Sequence, residues 1–274
     1  MKKNGFTLIE LAIVMTIIAL IMAAIVVGES MIRNAQLQAV GGEVARYKQA
    51  IIDFRDKYQA LPGDFSGATA LWGSANNTIP SNAACESIIG TGTQTCDGNG
   101  DGRITTQIAD NIANEYEQFR AWQHLANADM IDGAYSGVAG SGNAMKAVIG
   151  TNVPASKLSG AGYSLISMTL AEATSTGWAA GVGHYYPNIN YQHMLQFGTA
   201  TKYFSTLFPA ITPTEASLMD AKYDDGLPSS GIIMGPQKNS PYSPHCTNSN
   251  SASGAQYDLT QTGATCSLLF LLGF

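Results

Sequence analysis

Charge is scarce in this sequence. Asp, Glu, Lys and Arg make up 12% of its 274 residues, about half the share of an average soluble domain, and 20 acidic residues outnumber 14 basic ones. So few cations cannot displace the counterions of a polyanion over a wide face, which argues against a nucleic-acid partner. Histidine and cysteine number four each, and no Cys-x-x-Cys, His-Glu-x-x-His, Gly-x-Ser-x-Gly or phosphate-loop pattern occurs. No enzyme is expected on that ground. His184 beside Tyr185 and Tyr186, and His193 two positions after Tyr191, read as packed or exposed side chains rather than metal ligands. Proline is missing between Phe6 and Leu61, so nothing in that stretch interrupts a helix.

What the chain does have is one long apolar run. Phe6 to Val27 is 22 residues with only Thr7, Glu10 and Thr16 polar, long enough to span a bilayer as a helix. Lys2 and Lys3 precede it, so the positive-inside bias keeps the N-terminus cytoplasmic and sends the remainder outward. A cleaved secretory signal has a shorter, acid-free apolar region followed by a small-residue cleavage site. Here the small residues Asn4 and Gly5 come before the run, and Glu10 lies inside it. An acid in a membrane helix marks a functional position and requires a partner.

Lys2, Lys3, Asn4, Gly5, Phe6, Thr7, Leu8, Ile9 and Glu10 together resemble the N-terminal signature of type IV prepilins and type II secretion pseudopilins. The resemblance implies that residues 1–5 are a leader, that a prepilin peptidase cuts between Gly5 and Phe6, and that the new terminus at Phe6 is N-methylated. It also implies that Glu10 pairs with the terminal amine of a neighbouring pilin or pseudopilin subunit. Two buried opposite charges then offset each other's desolvation. The implied setting is the inner membrane, crossed once, followed by transfer through an assembly platform into a pilus or pseudopilus in the periplasm or at the cell surface. The implied fold class is α+β: a long N-terminal helix packed on a globular domain with a small antiparallel sheet. Residues 6–27 would be the transmembrane and assembly helix, 28–61 its amphipathic continuation, and 62–274 the outer domain. A body this large suits a minor or accessory subunit.

Past the membrane run, Leu37, Val40, Val44, Tyr47, Ile51, Phe54 and Tyr58 recur at steps of three and four, one apolar stripe of a continuing helix. Gln38, Glu43, Arg46, Lys48 and Asp53 flank it as the solvent side. The stripe is expected to pack on the domain's own core. Gly28, Gly41 and Gly42 each weaken the helix by about 1 kcal/mol and mark places for bending, and Leu61, Pro62 and Gly63 end it. Irregular chain follows from Asp64 to Gln94, broken by Leu71 and Trp72. A second helix is predicted from Ile108 to Ile131, with Ile112, Tyr116, Phe119, Trp122 and Leu125 on its apolar side. Strands are expected between Ser136 and Thr206. Thr212, Pro213 and Glu215 announce a capped helix running to Tyr223, and Ser267 to Phe274 reads as a buried final strand.

Four cysteines allow three pairings; their spacing favours Cys85 with Cys96 and Cys246 with Cys266, disulfides suited to an oxidising compartment. After Cys96, residues Asp97, Asn99, Asp101 and the carbonyl of Arg103 present oxygens on alternate positions around Gly98, Gly100 and Gly102, the opening of a Ca²⁺ loop. Ile108 stands where such a loop closes with an acid, so Asp110, Glu115 or Glu117 would have to complete it. Asp224 to Gly231 forms a second acidic segment, read first as a tight turn. The competing functional class is a membrane-tethered, calcium-dependent binding module or adhesin; an anchored envelope enzyme is the third.

Overall fold

The computed structural model describes residues 7–75, 88–104, 117–140, 146–168, 186, 189–200 and 205–274. It opens with α1, Leu8–Tyr58, an unbroken helix of 51 residues, about 75 Å long at the usual rise. The glycines expected to weaken it do not interrupt it. Gly41 is a seat for the ring of Tyr223, since a Cβ there would come within 2.5 Å of the ring, whereas Gly28 and Gly42 face open space. The helix ends slightly before the predicted Leu61–Gly63 breaker, at Gln59, whose left-handed backbone (φ 54°) lets its amide donate to the Arg55 carbonyl.

The C-terminal half of α1 packs as its stripe predicts. Val40, Tyr47, Ile51 and Phe54 are buried, and Leu37, Val44 and Tyr58 lie partly buried against the same core. Glu43 departs from the expected solvent side and is buried. Its carboxylate accepts hydrogen bonds from Ser156 Oγ (2.6 Å), the Lys157 amide (3.0 Å) and Tyr163 Oη (2.7 Å), which satisfy a charge that burial would otherwise penalise.

The sheet against which α1 packs is mixed into the chain late. Strands β1 (Ala161–Met168), β2 (Gln192–Thr199), β3 (Ile233–Met234) and β4 (Leu268–Leu271) run antiparallel in the order β1-β2-β4-β3. Alternation sorts their side chains onto two faces. Tyr163, Leu165, Leu195, Phe197, Leu268 and Phe270 join the main core, while Ile166, Met194, Met234 and Leu269 form a smaller cluster behind the sheet. The final strand thus lies where the apolar Ser267–Phe274 segment predicts it.

Three shorter helices lie among the described residues. α2, Ala68–Trp72, sits in the stretch expected to be irregular. α3, Glu117–Asn127, buries Phe119, Trp122 and Leu125 and, with Glu117, Arg120, Gln123 and His124 also covered, is buried on every side. It stops four residues before the predicted Ile131, because Asp129 adopts φ 59° and the Met130 amide returns to the Leu125 carbonyl. The predicted start of this helix, including Ile108, Ile112 and Tyr116, lies outside the described residues. α4, Pro213–Tyr223, has the capping box that Thr212 and Glu215 predict. Glu215 also receives Arg33 of α1 in a two-pronged ion pair, Nε–Oε1 2.6 Å and Nη2–Oε2 2.8 Å, tying α4 to the long helix at the point where α1 leaves the globular body.

Candidate functional site

The N-terminal half of α1 projects its side chains into open space. Leu8 is 89% exposed and Leu20 71%, and this helix alone among the described residues is long and apolar enough to cross a membrane. At its start Thr7 is the cap: its Oγ1 accepts from the Glu10 amide (3.3 Å), and the Glu10 carboxylate accepts from the Thr7 amide (2.8 Å) and hydroxyl (2.7 Å). In the single chain the carboxylate therefore turns back toward the first helical turn, where the helix dipole favours it. Gly5 and Phe6 lie outside the described residues. The charge of Glu10 is held beside the segment that carries them.

The second candidate is the loop after Cys96. Asp97 points away from it: its two carboxylate oxygens accept from the amide (2.7 Å) and hydroxyl (2.8 Å) of Thr69, capping the start of α2. Asn99 and Asp101 make the alternating Asx turns that their spacing favours, Asn99 Oδ1 accepting from the Asp101 amide and Asp101 Oδ1 from the Arg103 amide, each at 2.9 Å. The carboxylates brought together here are Asp64, Asp101 and Glu117, with an oxygen of each within 4.8 Å of the others. Asp64 and Glu117 are buried and Asp101 is exposed. Asp64 reaches the loop by accepting from the amides of Asp101 (2.9 Å) and Gly102 (3.0 Å), and Glu117 by accepting from that of Asn99 (3.0 Å).

Burial, assisted by the neighbouring charge of Asp101, holds the Asp64 carboxyl above its ordinary range against the pull of three amides. Hard oxygen donors that repel one another in this way are the donor set of a divalent cation such as Ca²⁺ or Mg²⁺. Glu117 is one of the residues that sequence spacing offered to close the loop; Asp110 and Glu115 lie outside the described residues. Asp64 was not legible as a partner, since it lies 37 positions upstream of Asp101. The chain crossing that joins them requires Gly98, where a Cβ would strike the backbone of Gly63 and Asp64.

A second acidic group, Asp220, Asp224 and Asp225, also has its oxygens within 4.8 Å, but its hydrogen bonds are those of a turn. Asp220 accepts from Tyr257 Oη (2.7 Å) and the Gly226 amide (3.0 Å), Asp224 from the amides of Ile232 and Ile233, and Asp225 from the Leu227 amide (2.8 Å) and Ser230 Oγ (2.7 Å). Burial pushes the Asp220 carboxyl up to about 6, against the pull of Tyr257. Cys246 and Cys266 form a disulfide. Cys96 is disulfide-bonded as well, and its predicted partner Cys85 lies outside the described residues.

Of the histidines singled out, His184 lies outside the described residues, and His193 is half-buried near the start of β2. Among the described histidines the fully buried one is His124, which the sequence reading does not single out. Its Nδ1 accepts from the Gly63 amide (3.0 Å) and its Nε2 lies 3.1 Å from the Cys96 carbonyl, so it joins the turn after α1 to the loop that carries Asn99 and Asp101.

Comparison with known families matches residues 1–26 to the model described as the prokaryotic N-terminal methylation motif. The first 26 residues thus carry the type IV prepilin and pseudopilin signature. Neither the curated proteins nor the solved structures gave a match. The motif indicates a structural protein rather than an enzyme, and with the exposed apolar helix it fits a membrane-anchored pilin-like chain.

Proposed function

We propose that this chain is a minor or accessory subunit of a type IV pilus or type II secretion pseudopilus. A prepilin peptidase removes residues 1–5 after Gly5, Phe6 is N-methylated, and Glu10 pairs with the freed amine of a neighbouring subunit. Residues 6–27 are held in the inner membrane with the N-terminus cytoplasmic, 28–61 continue the helix, and 62–274 form the periplasmic or surface-exposed body. An assembly platform moves the helix from lipid into a bundle of its own kind.

One observation carries this reading: an apolar helix that no described residue covers opens with a carboxylate inside a methylation motif. An unpaired ion inside a bundle costs several kcal/mol, so pairing across subunits selects the correct stagger. Intact-mass measurement on filament-associated protein tests it. The expected species lacks residues 1–5 and carries one extra methyl group; a polymerised species that retains Lys2 and Lys3 overturns the reading.

The carboxylates Asp64, Asp101 and Glu117 favour a second element, a structural Ca²⁺ that screens their repulsion and fixes the loop beneath α3. Binding to the folded state alone adds about 1.4 kcal/mol when the ion is at ten times its Kd. The thermal midpoint should therefore rise with millimolar Ca²⁺ and fall with chelator. Asp101→Asn should abolish that response, and an identical response in the variant would exclude this cluster.

A further inference from the structure

A cleft bordered by the last turn of α1, the end of β1 and the start of β2 plays no part in the assembly reading. Two adjoining hollows of about 270 and 440 Å³ share His193 and Phe274 as a common wall, each near the size range of small-ligand sites. Phe274 stands between two nitrogen groups: the Arg55 guanidinium lies 4.6 Å from its ring centre, and the His193 ring 5.6 Å away at 68°. Arg55 comes from the last turn of α1 and is half-buried. Ion pairs among the described residues join Arg33 to Glu215 and Arg46 to Asp132, so no carboxylate is held against Arg55.

Arg103 also lines the first hollow. Burial, with Arg103 and Arg55 nearby, pushes His193 down to about 4, so its ring is neutral at ordinary pH and the positive charge of the cleft belongs to arginine. Asp64 borders the second hollow, but its carboxylate is already turned to the amides of Asp101 and Gly102. Asn190 and Gln192 offer exposed amides at the rim. Gln192 holds φ 47°, a left-handed backbone uncommon for a residue with a side chain. Such outliers gather at ligand sites, where surrounding structure pays for them.

We propose that this cleft binds a carboxylate-bearing saccharide of the uronic acid class. The planar fork of Arg55, in the second hollow, matches a carboxylate with two parallel hydrogen bonds, Asn190 and Gln192, in the first, take hydroxyls, and the shared wall of His193 and Phe274 is the apolar edge over which the ligand spans the two. A chain of net charge −6 repels long polyanions, which favours a short acidic sugar over a nucleic acid. Apart from Arg55 at the end of α1, the site lies in the outer body, and it does not depend on how residues 6–27 assemble.

The test is titration of the full chain in detergent with a glucuronic-acid disaccharide, a neutral glucose disaccharide and inorganic phosphate, followed by NMR or calorimetry. The acidic sugar should bind at millimolar or tighter Kd, and the neutral sugar at least tenfold more weakly. Arg55→Gln should weaken the acidic sugar at least tenfold, with Arg55→Lys intermediate. Asn190→Asp, an exposed change with no core to disturb, should weaken it similarly by placing a carboxylate at the rim. No binding by the acidic sugar, equal binding by phosphate, or an affinity untouched by both Arg55→Gln and Asn190→Asp overturns the proposal.

Discussion

The two halves of α1 are one helix in two environments. From Leu8 to Ile32 its large apolar side chains are exposed, whereas Val40, Tyr47, Ile51 and Phe54 farther along are covered. The difference lies in the pattern, not in helix formation: the first half is apolar all round and needs an apolar surrounding, whereas the second has one stripe and needs one neighbour. Each large side chain left uncovered forgoes about 1.5–3 kcal/mol. The globular fold covers the stripe of the second half, while no described residue covers the first; under the proposed function, lipid or other helices do so.

Several changes would break or sharpen that contrast. The largest expected effect is Glu10→Ala, which should abolish incorporation into filaments while leaving the thermal unfolding of the detergent-solubilised chain unchanged. Immunoblots of sheared filaments beside melting curves check it, and normal incorporation would remove the role given to Glu10. Next, Phe54→Ala empties a fully buried site and should cost about 3–5 kcal/mol in denaturant unfolding. Ile18→Ala, on the exposed half, should stay within about 0.5 kcal/mol.

Acid should loosen the packed half from its far end. Burial, with Arg120 nearby, pushes His124 down to about 3. A base whose pKa is depressed on folding contributes stability above its unfolded value, about 6.5, and loses it as pH falls from there toward 3, because the unfolded state then binds the extra proton. Urea midpoints between pH 7.5 and 4 should fall more steeply for the native chain than for His124→Asn, which keeps an acceptor for the Gly63 amide but cannot titrate.

Smaller effects separate neighbouring glycines. Gly42→Ala, facing open space, should gain up to about 1 kcal/mol of helix stability, whereas Gly41→Ala must displace the Tyr223 ring and should gain nothing or lose about 1 kcal/mol. Equal melting shifts in the two variants would show that Tyr223 does not rest on the helix. Smallest is Arg33→Ala. Its side chain is 37% exposed, so breaking the link to Glu215 should cost about 1 kcal/mol or less, reduced further by salt.

Local signals were legible wherever a few consecutive residues decide the outcome. Thr212, Pro213 and Glu215 are enough to start α4, Cys246 and Cys266 lie close enough in sequence to pair, and the apolar stripe from Leu37 to Tyr58 names its own buried face. The α3 boundary was misread because Asp129, a residue tolerant of left-handed backbone, ended the helix before Gly133. Glu43 was misplaced because its donors, Ser156, Lys157 and Tyr163, lie more than a hundred positions away.

By itself, the sequence determined the long helix, the lysines ahead of it, the acid at Glu10 and the methylation signature, because each depends on spacing within a few turns of chain. Tertiary structure alone decided that Asp97 would serve Thr69 while Asp64 and Glu117 joined Asp101, that Gly41 would carry Tyr223, and that Arg55 would meet Phe274. Those outcomes depend on which distant backbones the shared core brings into contact, and residue spacing carries no record of that until the core has formed.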